Sequence, residues 1–370
     1  MRKLDSFRCK KDEEDAIDRR QIMKTQDTKY NVNQNLFWTL TSLLFGGLLY
    51  LTSMSLAVED TWIEKADMPS RRHELSTSVV DGIIYAIGGW GSHPATVEAY
   101  NPVTNTWTKK TSMPTLRWAL SSDVVDGIIY AIGGTRIHPV TTAATEAYDP
   151  VTDTWTKKAD MPTERGWLST SEVDGIIYAI GGSTDGSEVL DIVEAYDPAT
   201  DTWIEKADMP TPRMRLATSV VNGKIYAIGG FRGGMALPTV EVYDPATDEW
   251  TGGYDDMPTP RALNLSTSVV GDKIYAIGGY NDGPGLSVVE VYDPVEDEWA
   301  EKAVMPTGRR GLSTSVVRAK IYAIGGSLDS SPMERGIVEV YDTGFVLQSV
   351  DAKGKIVTLW AKLKTLCLQQ

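Results

Sequence analysis

Six arginines recur at one position of a repeated motif and could bind a ligand. Each stands three residues after the proline of a Met-Pro pair: Arg72, Arg117, Arg165, Arg213, Arg261 and Arg309. A guanidinium group binds a carboxylate through two parallel hydrogen bonds, so these side chains are candidates for holding an anionic ligand. The alternative is structural, with each arginine paired to an acidic or backbone group of the fold itself. The sequence leaves both alternatives open.

Two acidic residues interrupt segments of serine, threonine and valine and are candidates for acid–base chemistry. Asp123 replaces a serine, and Glu172 stands where other repeats have Val79, Val124, Val220 and Val316. A carboxyl group in such a segment is costly unless it is paired or solvated. If these groups face a channel, they are candidates for a general acid or base. If they face the neighbouring repeat, they are paired structural groups.

Other catalytic chemistry has little support. The three histidines, His73, His93 and His138, and the two cysteines form no cluster with the spacing of metal ligands. The sequence contains no nucleophile elbow or phosphate-binding loop. We therefore predict no metal and no cofactor, and we expect a binding function before an enzymatic one. The net charge of −14 disfavours nucleic acid and anionic lipid as partners.

The arginines belong to a repeat that six glycine pairs mark at intervals of 45 to 49 residues. The pairs are Gly88-Gly89, Gly133-Gly134, Gly181-Gly182, Gly229-Gly230, Gly278-Gly279 and Gly325-Gly326. Each pair follows a run such as Ile83–Ile87, whose β-branched and aromatic residues suit a buried strand. A turn such as Asp81-Gly82 joins this run to the preceding apolar segment. The pattern predicts four short strands in each repeat.

The double glycine, a tyrosine and a tryptophan recur in an order that resembles kelch repeats. The resemblance covers residues 58–343 and implies an all-β fold, a six-bladed β-propeller. It implies that the aromatic series pack between blades. The tryptophans of this series are Trp62, Trp107, Trp155, Trp203, Trp250 and Trp299.

The two ends of the array predict how the ring closes. The segment Val58–Trp62 is similar to Val295–Trp299, whereas the sixth repeat has no tryptophan after Tyr341 and Asp342. We therefore expect the N-terminal segment to supply the fourth strand of the last blade, which would leave no open sheet edge at the seam.

The kelch resemblance also implies that the arginines lie near the central opening on one face. In some kelch proteins, arginines in this region clamp carboxylates of acidic peptides. Five aromatic residues that vary between repeats are expected on the same face, where they either recognise a ligand or cap the channel: Trp90, Trp118, Trp167, Phe231 and Tyr280. Further arginines make this face basic and predict an anionic ligand: Arg71, Arg136, Arg215, Arg232, Arg310 and Arg335.

The segments that flank the repeats have their own patterns. Residues 1–57 resemble a leader with a signal peptide, cleaved after Ala57, and Met23 is a plausible start. The alternative is a membrane anchor at residues 36–57. Residues 344–370 predict a short amphipathic helix with its apolar side chains at helical spacing: Ile356, Leu359, Trp360, Leu363 and Leu366.

These observations predict an exported bacterial protein, periplasmic or extracellular, that binds a protein or a glycan through the face with the arginines. The membrane would be a partner only through an uncleaved leader. The alternative is a cofactor-independent sugar isomerase, because the blade number, the leader and the arginines are similar to those of periplasmic sialic acid mutarotases. That resemblance implies an arginine and a glutamate in the axial pocket.

Overall fold

The computed structural model describes residues 60–262, 265–328 and 336–345, together with the backbone of two short strands near the C-terminus. All regular elements in these residues are β-strands, as the repeat pattern predicts. In chain order they are β1 (Thr61–Glu64), β2 (Ser76–Val80), β3 (Ile83–Ile87), β4 (Val97–Asn101), β5 (Thr106–Lys110), β6 (Ser121–Val125), β7 (Ile128–Ile132), β8 (Thr135–Ile137), β9 (Val140–Thr141), β10 (Thr145–Asp149), β11 (Thr154–Lys157), β12 (Ser169–Val173), β13 (Ile176–Ile180), β14 (Val193–Asp197), β15 (Thr202–Lys206), β16 (Ala217–Val221), β17 (Lys224–Ile228), β18 (Phe231–Arg232), β19 (Met235–Ala236), β20 (Val240–Asp244), β21 (Glu249–Thr251), β22 (Ser266–Val270), β23 (Lys273–Ile277), β24 (Val289–Asp293), β25 (Glu298–Glu301), β26 (Ser313–Val317), β27 (Lys320–Ile324), β28 (Val338–Asp342), β29 (Ser349–Val350) and β30 (Ile356–Val357).

The strands form six four-stranded antiparallel sheets arranged as blades around an axis. The sheet orders are β2-β3-β4-β5, β6-β7-β10-β11, β12-β13-β14-β15, β16-β17-β20-β21, β22-β23-β24-β25 and β26-β27-β28-β1. The first strand of each blade contacts the first strands of both neighbouring blades, so β2, β6, β12, β16, β22 and β26 surround the axis. The predicted six-bladed propeller is confirmed.

Among the described strands, the two paired strands that are furthest apart in sequence lie in the sixth blade. Strand β1 pairs antiparallel with β28, with Trp62 opposite Tyr341. The Tyr341 hydroxyl donates to the Asp60 carboxylate, which also accepts a hydrogen bond of 2.7 Å from the backbone of Ala303 in blade five. The outer strand of this blade therefore comes from residues that precede the first repeat.

The hydrophobic core lies between the blades. Tyr85 and Ile87 of blade one pack with Leu120 and Ile129 of blade two, and all four are buried. Equivalent clusters fill the other blade boundaries. Because each cluster draws on two neighbouring sheets, apolar burial stabilises the whole ring rather than a single blade.

The recurring tryptophans also connect neighbouring blades. The ring of Trp107 packs on Tyr100 of its own blade at 5.0 Å between centroids, and its indole donates a hydrogen bond of 2.9 Å to Ala66 O, which follows the last strand of the preceding blade. The same donor contact recurs at Trp62, Trp155, Trp203, Trp250 and Trp299.

The glycine pairs lie where the backbone of the next blade approaches most closely. Gly88 and Gly89 have φ of +61° and +103°, which disfavour a side chain. A Cβ atom on Gly88 would lie 2.7 Å from the carbonyl oxygen of Arg117 in blade two. That carbonyl accepts a hydrogen bond of 3.1 Å from the Gly89 amide. The pair therefore allows a backbone contact between blades.

The flanking segments are described only in part. The predicted leader at residues 1–57 lies outside the described residues. Within the residues that the structure describes, no helix has the length and apolar character to cross a membrane. Near the C-terminus, β29 pairs with β30, so the predicted helix is wrong at Ile356, which lies in a strand. The other apolar positions of that helix lie outside the described residues.

Candidate functional site

The repeated arginines are buried at a polar junction inside each blade. In blade three, Arg165 donates 2.8 and 3.1 Å hydrogen bonds to the carbonyls of Ile192 and Ala179 and pairs with Glu194 at 2.9 Å. The Met161 sulfur accepts a contact of 3.4 Å from Arg165 Nε, and the Thr163 hydroxyl donates to Glu194 at 2.7 Å. The motif Met-Pro-Thr-x-Arg therefore assembles one satisfied ion pair.

All six arginines are fully buried and ion-paired with a glutamate of the third strand in the same blade. The pairs are Arg72–Glu98 at 2.9 Å, Arg117–Glu146 at 2.8 Å, Arg165–Glu194 at 2.9 Å, Arg213–Glu241 at 2.7 Å and Arg309–Glu339 at 2.7 Å, with Arg261–Glu290 paired in the same way. Burial lowers the pKa of Arg213 to about 10, and the charge of Glu241 opposes that shift. The prediction that these arginines bind a ligand is wrong, because each guanidinium is buried and paired with a glutamate of its own blade.

A belt of backbone hydrogen bonds lies two residues after these arginines. The amide of Glu74 donates to Gly311, Ala119 donates to Glu74, Trp167 donates to Ala119 and Arg215 donates to Trp167, over 2.7 to 2.9 Å. All five residues have φ between +52° and +63°. A left-handed conformation is unusual for a side chain as large as that of Trp167, and such strain concentrates at functional sites.

The belt surrounds one end of the axis, where a cavity of about 290 Å³ opens; we call it the axial opening. Beside His73 and Gly311, six side chains line it: Glu74, Trp90, Trp118, His138, Arg215 and Arg310. They come from the starts of first strands and from the loops between second and third strands. Short loops held by a rigid ring are where propellers place binding residues.

The charges of the axial opening are unequal. Glu74 pairs with Arg215 at 3.3 Å and accepts a hydrogen bond of 3.3 Å from the indole of Trp167. Burial lowers the pKa of Arg215; the charge of Glu74 opposes this shift and that of Arg310 adds to it. Arg310 lies 5.1 Å from the ring centre of Tyr280. Among the described residues, the axial opening therefore holds two arginines and one glutamate on a strongly acidic protein.

Three tryptophans form a ladder into the wall of the axial opening. Trp90 meets Trp118 at 5.1 Å, and Trp118 meets Trp167 at 5.3 Å, both edge to face. Their exposed fractions fall from 42% for Trp90 to 7% and 2%. Neither Trp118 Nε1 nor Arg215 Nε has a hydrogen-bond partner among the described residues, although both atoms are buried. Within the described ranges, the wall therefore holds two donors without acceptors.

Comparison with known proteins identifies the family. The family model of the KLHDC2/KLHL20/DRC7 Kelch-repeats domain matches residues 121–326, and the Kelch motif model matches residues 71–114. The chain belongs to the kelch-repeat family. The solved structure titled "Structure of YjhT" has the same kelch-type fold with a TM-score of 0.65; the match has 14% sequence identity and covers 73% of this chain and 95% of that one. No curated protein sequence matches the chain.

The kelch propeller brings only some of the predicted binding residues together. Trp90 and Trp118 line the axial opening. Trp167 lies behind Trp118, so the prediction that Trp167 is an exposed contact is wrong. Phe231 packs against the tryptophan ladder, and Tyr280 lies under Arg310. The predicted basic residue Arg335 lies outside the described residues.

The sequence analysis missed Glu74 as a member of the axial opening. Its position, two residues after the repeated arginine, carries a different residue in every repeat: Glu74, Ala119, Trp167, Arg215, Leu263 and Gly311. Variation at one position of otherwise uniform kelch repeats was the available signal. Only the backbone belt shows that the described members of this set, all except Leu263, lie around one opening.

The two candidate acid–base residues lie at the other end of the axis. Asp123 and Glu172 follow Ala119 and Trp167 by four and five residues, or roughly 13–17 Å along a strand. Between the two ends, one leucine per blade lines the channel: Leu75, Leu120, Leu168, Leu216, Leu265 and Leu312. The residues described in the structure contain no group of three or more potential metal ligands.

Proposed function

We propose that this kelch propeller is an exported module that binds a protein or glycan carrying an anionic group, and that the axial opening is its recognition site. Kelch propellers generally bind proteins, and their fold supports a protein-binding or scaffold role. The observation that carries the proposal is a pair of buried donors in the wall of this opening, Trp118 Nε1 and Arg215 Nε, which have no acceptor in the part of the chain that the structure describes.

The chemistry of the axial opening favours an acidic ligand. A buried donor without an acceptor costs roughly 1–3 kcal/mol, and a carboxylate or carbonyl oxygen of a ligand would recover that energy. Arg215 and Arg310 add positive charge beside these donors. The partly exposed face of Trp90 suits a sugar ring or an apolar peptide side chain.

The test is a binding screen with matched tryptophan variants. Acidic monosaccharides, neutral oligosaccharides and acidic peptides are screened by thermal shift, and hits are measured by calorimetry. Trp118→Phe keeps an aromatic ring and removes the free donor, so affinity should fall roughly threefold to tenfold. Trp155→Phe is the control, because its indole donates to Thr111 O at the blade boundary and not into the axial opening.

The two variants separate recognition from folding. We expect Trp155→Phe to lower the melting temperature and leave the affinity unchanged. Equal affinity of Trp118→Phe and the unchanged protein for every ligand that binds would contradict the proposed role of the axial opening. A panel in which only neutral ligands bind would contradict the anionic assignment.

One observation specifically supports the isomerase alternative. Glu74 and Arg215 place a glutamate and an arginine together in the axial opening, which is the pair that the mutarotase resemblance implies. Anomer exchange of sialic acid, followed by proton NMR, tests this alternative. Turnover that Glu74→Gln abolishes while acidic sugars still bind would favour the isomerase; binding without exchange would favour the binding module.

Export is the part of the proposal that depends on the leader. Cleavage after Ala57 would give a mature chain that begins at Val58, two residues before the described propeller. N-terminal sequencing of protein recovered from a secreting bacterial host tests this directly. A chain that keeps residues 36–57 and fractionates with membranes would favour the anchor.

A further inference from the structure

A groove between blades six and one opens on the end of the ring opposite to the axial opening; we call it the seam groove. Its volume is about 440 Å³, within the range of roughly 300–1,000 Å³ that is usual for ligand pockets. The turns that follow the first strands of both blades line it, together with the turn at residues 101–103 and the outer strands of blade six. Two features distinguish it from the equivalent position of the other blades.

The first feature is an apolar row of side chains across blade six. Tyr322, Val340 and Ile63 lie opposite one another on β27, β28 and β1, and all three line the seam groove. Ile63 is 46% exposed, although it is a large aliphatic residue. The residues at the positions of Val340 and Ile63 are smaller or polar elsewhere: Ala99 and Thr108, Ala147 and Thr156, Ala195 and Ile204, Val242 and Thr251, Val291 and Ala300. Of the six rows, that of blade six therefore has the largest aliphatic side chains.

The second feature is a change of charge in the surrounding turns. Asn101 and Asn105 occupy two positions at which every other blade has aspartate. Arg318 occupies a position at which three blades have aspartate and none has a cation. Lys320 is paired with Asp342, whereas Lys65 and Arg318 form no ion pair with any residue that the structure describes.

The tyrosines of the second strands show the same difference in charge. Burial raises the pKa of Tyr322, and the charge of Arg318 opposes this rise. Burial also raises the pKa of Tyr85, but there the charges of Asp81 and Asp153 add to the rise. Carboxylates add to it in the same way at Tyr130, Tyr178, Tyr226 and Tyr275. Of these six tyrosines, only that of the seam groove therefore lies beside a positive charge.

The cations of the seam groove lie on both sides of its apolar row. Lys65 follows Ile63 by two residues, so its side chain leaves the same face of the sheet roughly 7 Å further along. Lys320 precedes Tyr322 by two residues, and Arg318 lies in the turn before it. A fatty acid has a single anionic group and can satisfy one side only. An extended peptide places alternate side chains on one face, so carboxylates can stand on both sides of an aliphatic residue.

We propose that the seam groove binds an extended acidic segment of a partner protein. In this complex an aliphatic side chain contacts Ile63 and Val340, and carboxylates two residues before and after it lie at Lys65 and Arg318. The positive charge of the groove on a protein of net charge −14 provides the electrostatic complementarity. This would be a second binding site, independent of the axial opening.

The repeats supply the test variants. Ile63→Thr and Arg318→Asp install residue types that other blades have at these positions, so the double variant is expected to fold. The control makes the same changes in charge and side chain at Lys157→Asp and Ile204→Thr, two exposed positions of blades two and three. The probe is fluorescein-labelled Glu-Ser-Leu-Ser-Glu, and its binding to the full chain is measured by fluorescence polarisation. A third variant, Trp118→Phe, reports binding at the axial opening.

We expect the probe to bind equally to the unchanged protein, the Lys157/Ile204 control and Trp118→Phe, and roughly tenfold more weakly to the Ile63/Arg318 variant. Replacing the leucine by serine, or both glutamates by glutamine, should weaken binding, as should 0.5 M NaCl. Equal binding to the Ile63/Arg318 variant, or no binding at 1 mM probe, would overturn the proposal. A loss of binding in Trp118→Phe would also overturn it, because the probe would then occupy the axial opening. Tighter binding of octanoate than of the probe would show that the groove takes a fatty acid instead.

Discussion

At the scale of single residues, the arginine junction of blade three provides hydrogen-bond partners for both of its charged groups. In blade three, Arg165 and Glu194 have hydrogen-bond partners on the backbone, on Met161 and on Thr163. The attraction within a buried ion pair is largely offset by the desolvation of both charges, so the net contribution of the pair is small. Loss of one partner is different, because it leaves a buried charge without a counter-charge.

The arginine junction predicts an asymmetry between single and double variants. Arg165→Met leaves Glu194 buried and unpaired, which should lower the free energy of unfolding by about 3–5 kcal/mol. Adding Glu194→Leu should recover a large part of that loss, because no buried charge then remains. Chemical denaturation of the three proteins measures the effect. A single variant as stable as the unchanged protein would mean that Arg165 is solvated.

The raised pKa of Asp123 predicts a stability change with pH. Its pKa is raised in the folded protein, so the folded state keeps the proton that the unfolded state loses above about pH 4. The stabilising effect of this proton is present below pH 4 and is lost as the pH rises toward 7. The melting temperature of Asp123→Ser should therefore rise relative to that of the unchanged protein as the pH increases from 5 to 8. Parallel pH profiles for the two proteins would contradict the raised pKa.

At the scale of elements, the turns between first and second strands differ in strain from blade to blade. Most use Asp-Gly or Asn-Gly, as in Asp81-Gly82, which suit two residues with positive φ. Blade six instead has Arg318 and Ala319, with φ of +53° and +60°. An alanine in this conformation is strained, because its Cβ approaches the following carbonyl.

This turn predicts a reciprocal pair of variants. Ala319→Gly should stabilise the protein by about 0.5–1 kcal/mol, because glycine adopts the left-handed conformation without strain. Gly82→Ala should destabilise it by a similar amount, through conformation alone, since nothing lies within 4 Å of the added Cβ. Melting temperatures of both variants provide the measurement. A loss of stability in Ala319→Gly would show that packing of the buried Ala319 methyl group outweighs the strain of the turn.

At the scale of the whole molecule, the ring depends on a strand from the other end of the repeat array. Strand β1 covers the edge of β28, and Trp62 donates to Ala303 O in blade five. Without β1, the edge of β28 would expose unpaired backbone groups, which promote pairing between chains. The stability of the propeller is therefore a property of the closed ring.

Removal of β1 should have effects that removal of the leader does not. A chain that lacks residues 1–64 is expected to melt roughly 10 °C or more below a chain that lacks only residues 1–57, since several kcal/mol of strand pairing are lost. It should also form oligomers through β28. Thermal melting and light scattering after size exclusion compare the two. Equal melting temperatures and monomers in both cases would show that β1 is dispensable.

The repeat pattern was sufficient for the fold because every repeat carries the same signals. Glycine pairs, hairpin turns and alternating apolar runs each depend on a few neighbouring residues, which makes them visible along the chain. The site was harder to predict. Arg165 and Arg215 are both arginines near the start of a first strand, yet one is buried at Glu194 and the other reaches the axial opening. Arg215 stands two residues after the repeated arginine of its blade, in the left-handed conformation of the belt around the opening.

The sequence by itself determined the class of fold, the number of blades and the pattern of four strands in each repeat, because these follow from local patterns that repeat. Tertiary structure alone decided which polar groups face the solvent. The repeated arginines are internal because a glutamate of the third strand lies opposite each guanidinium. Glu74 pairs with Arg215 because their side chains, from blades one and four, meet across the axis. Such contacts join residues far apart in the chain, and no local pattern records them.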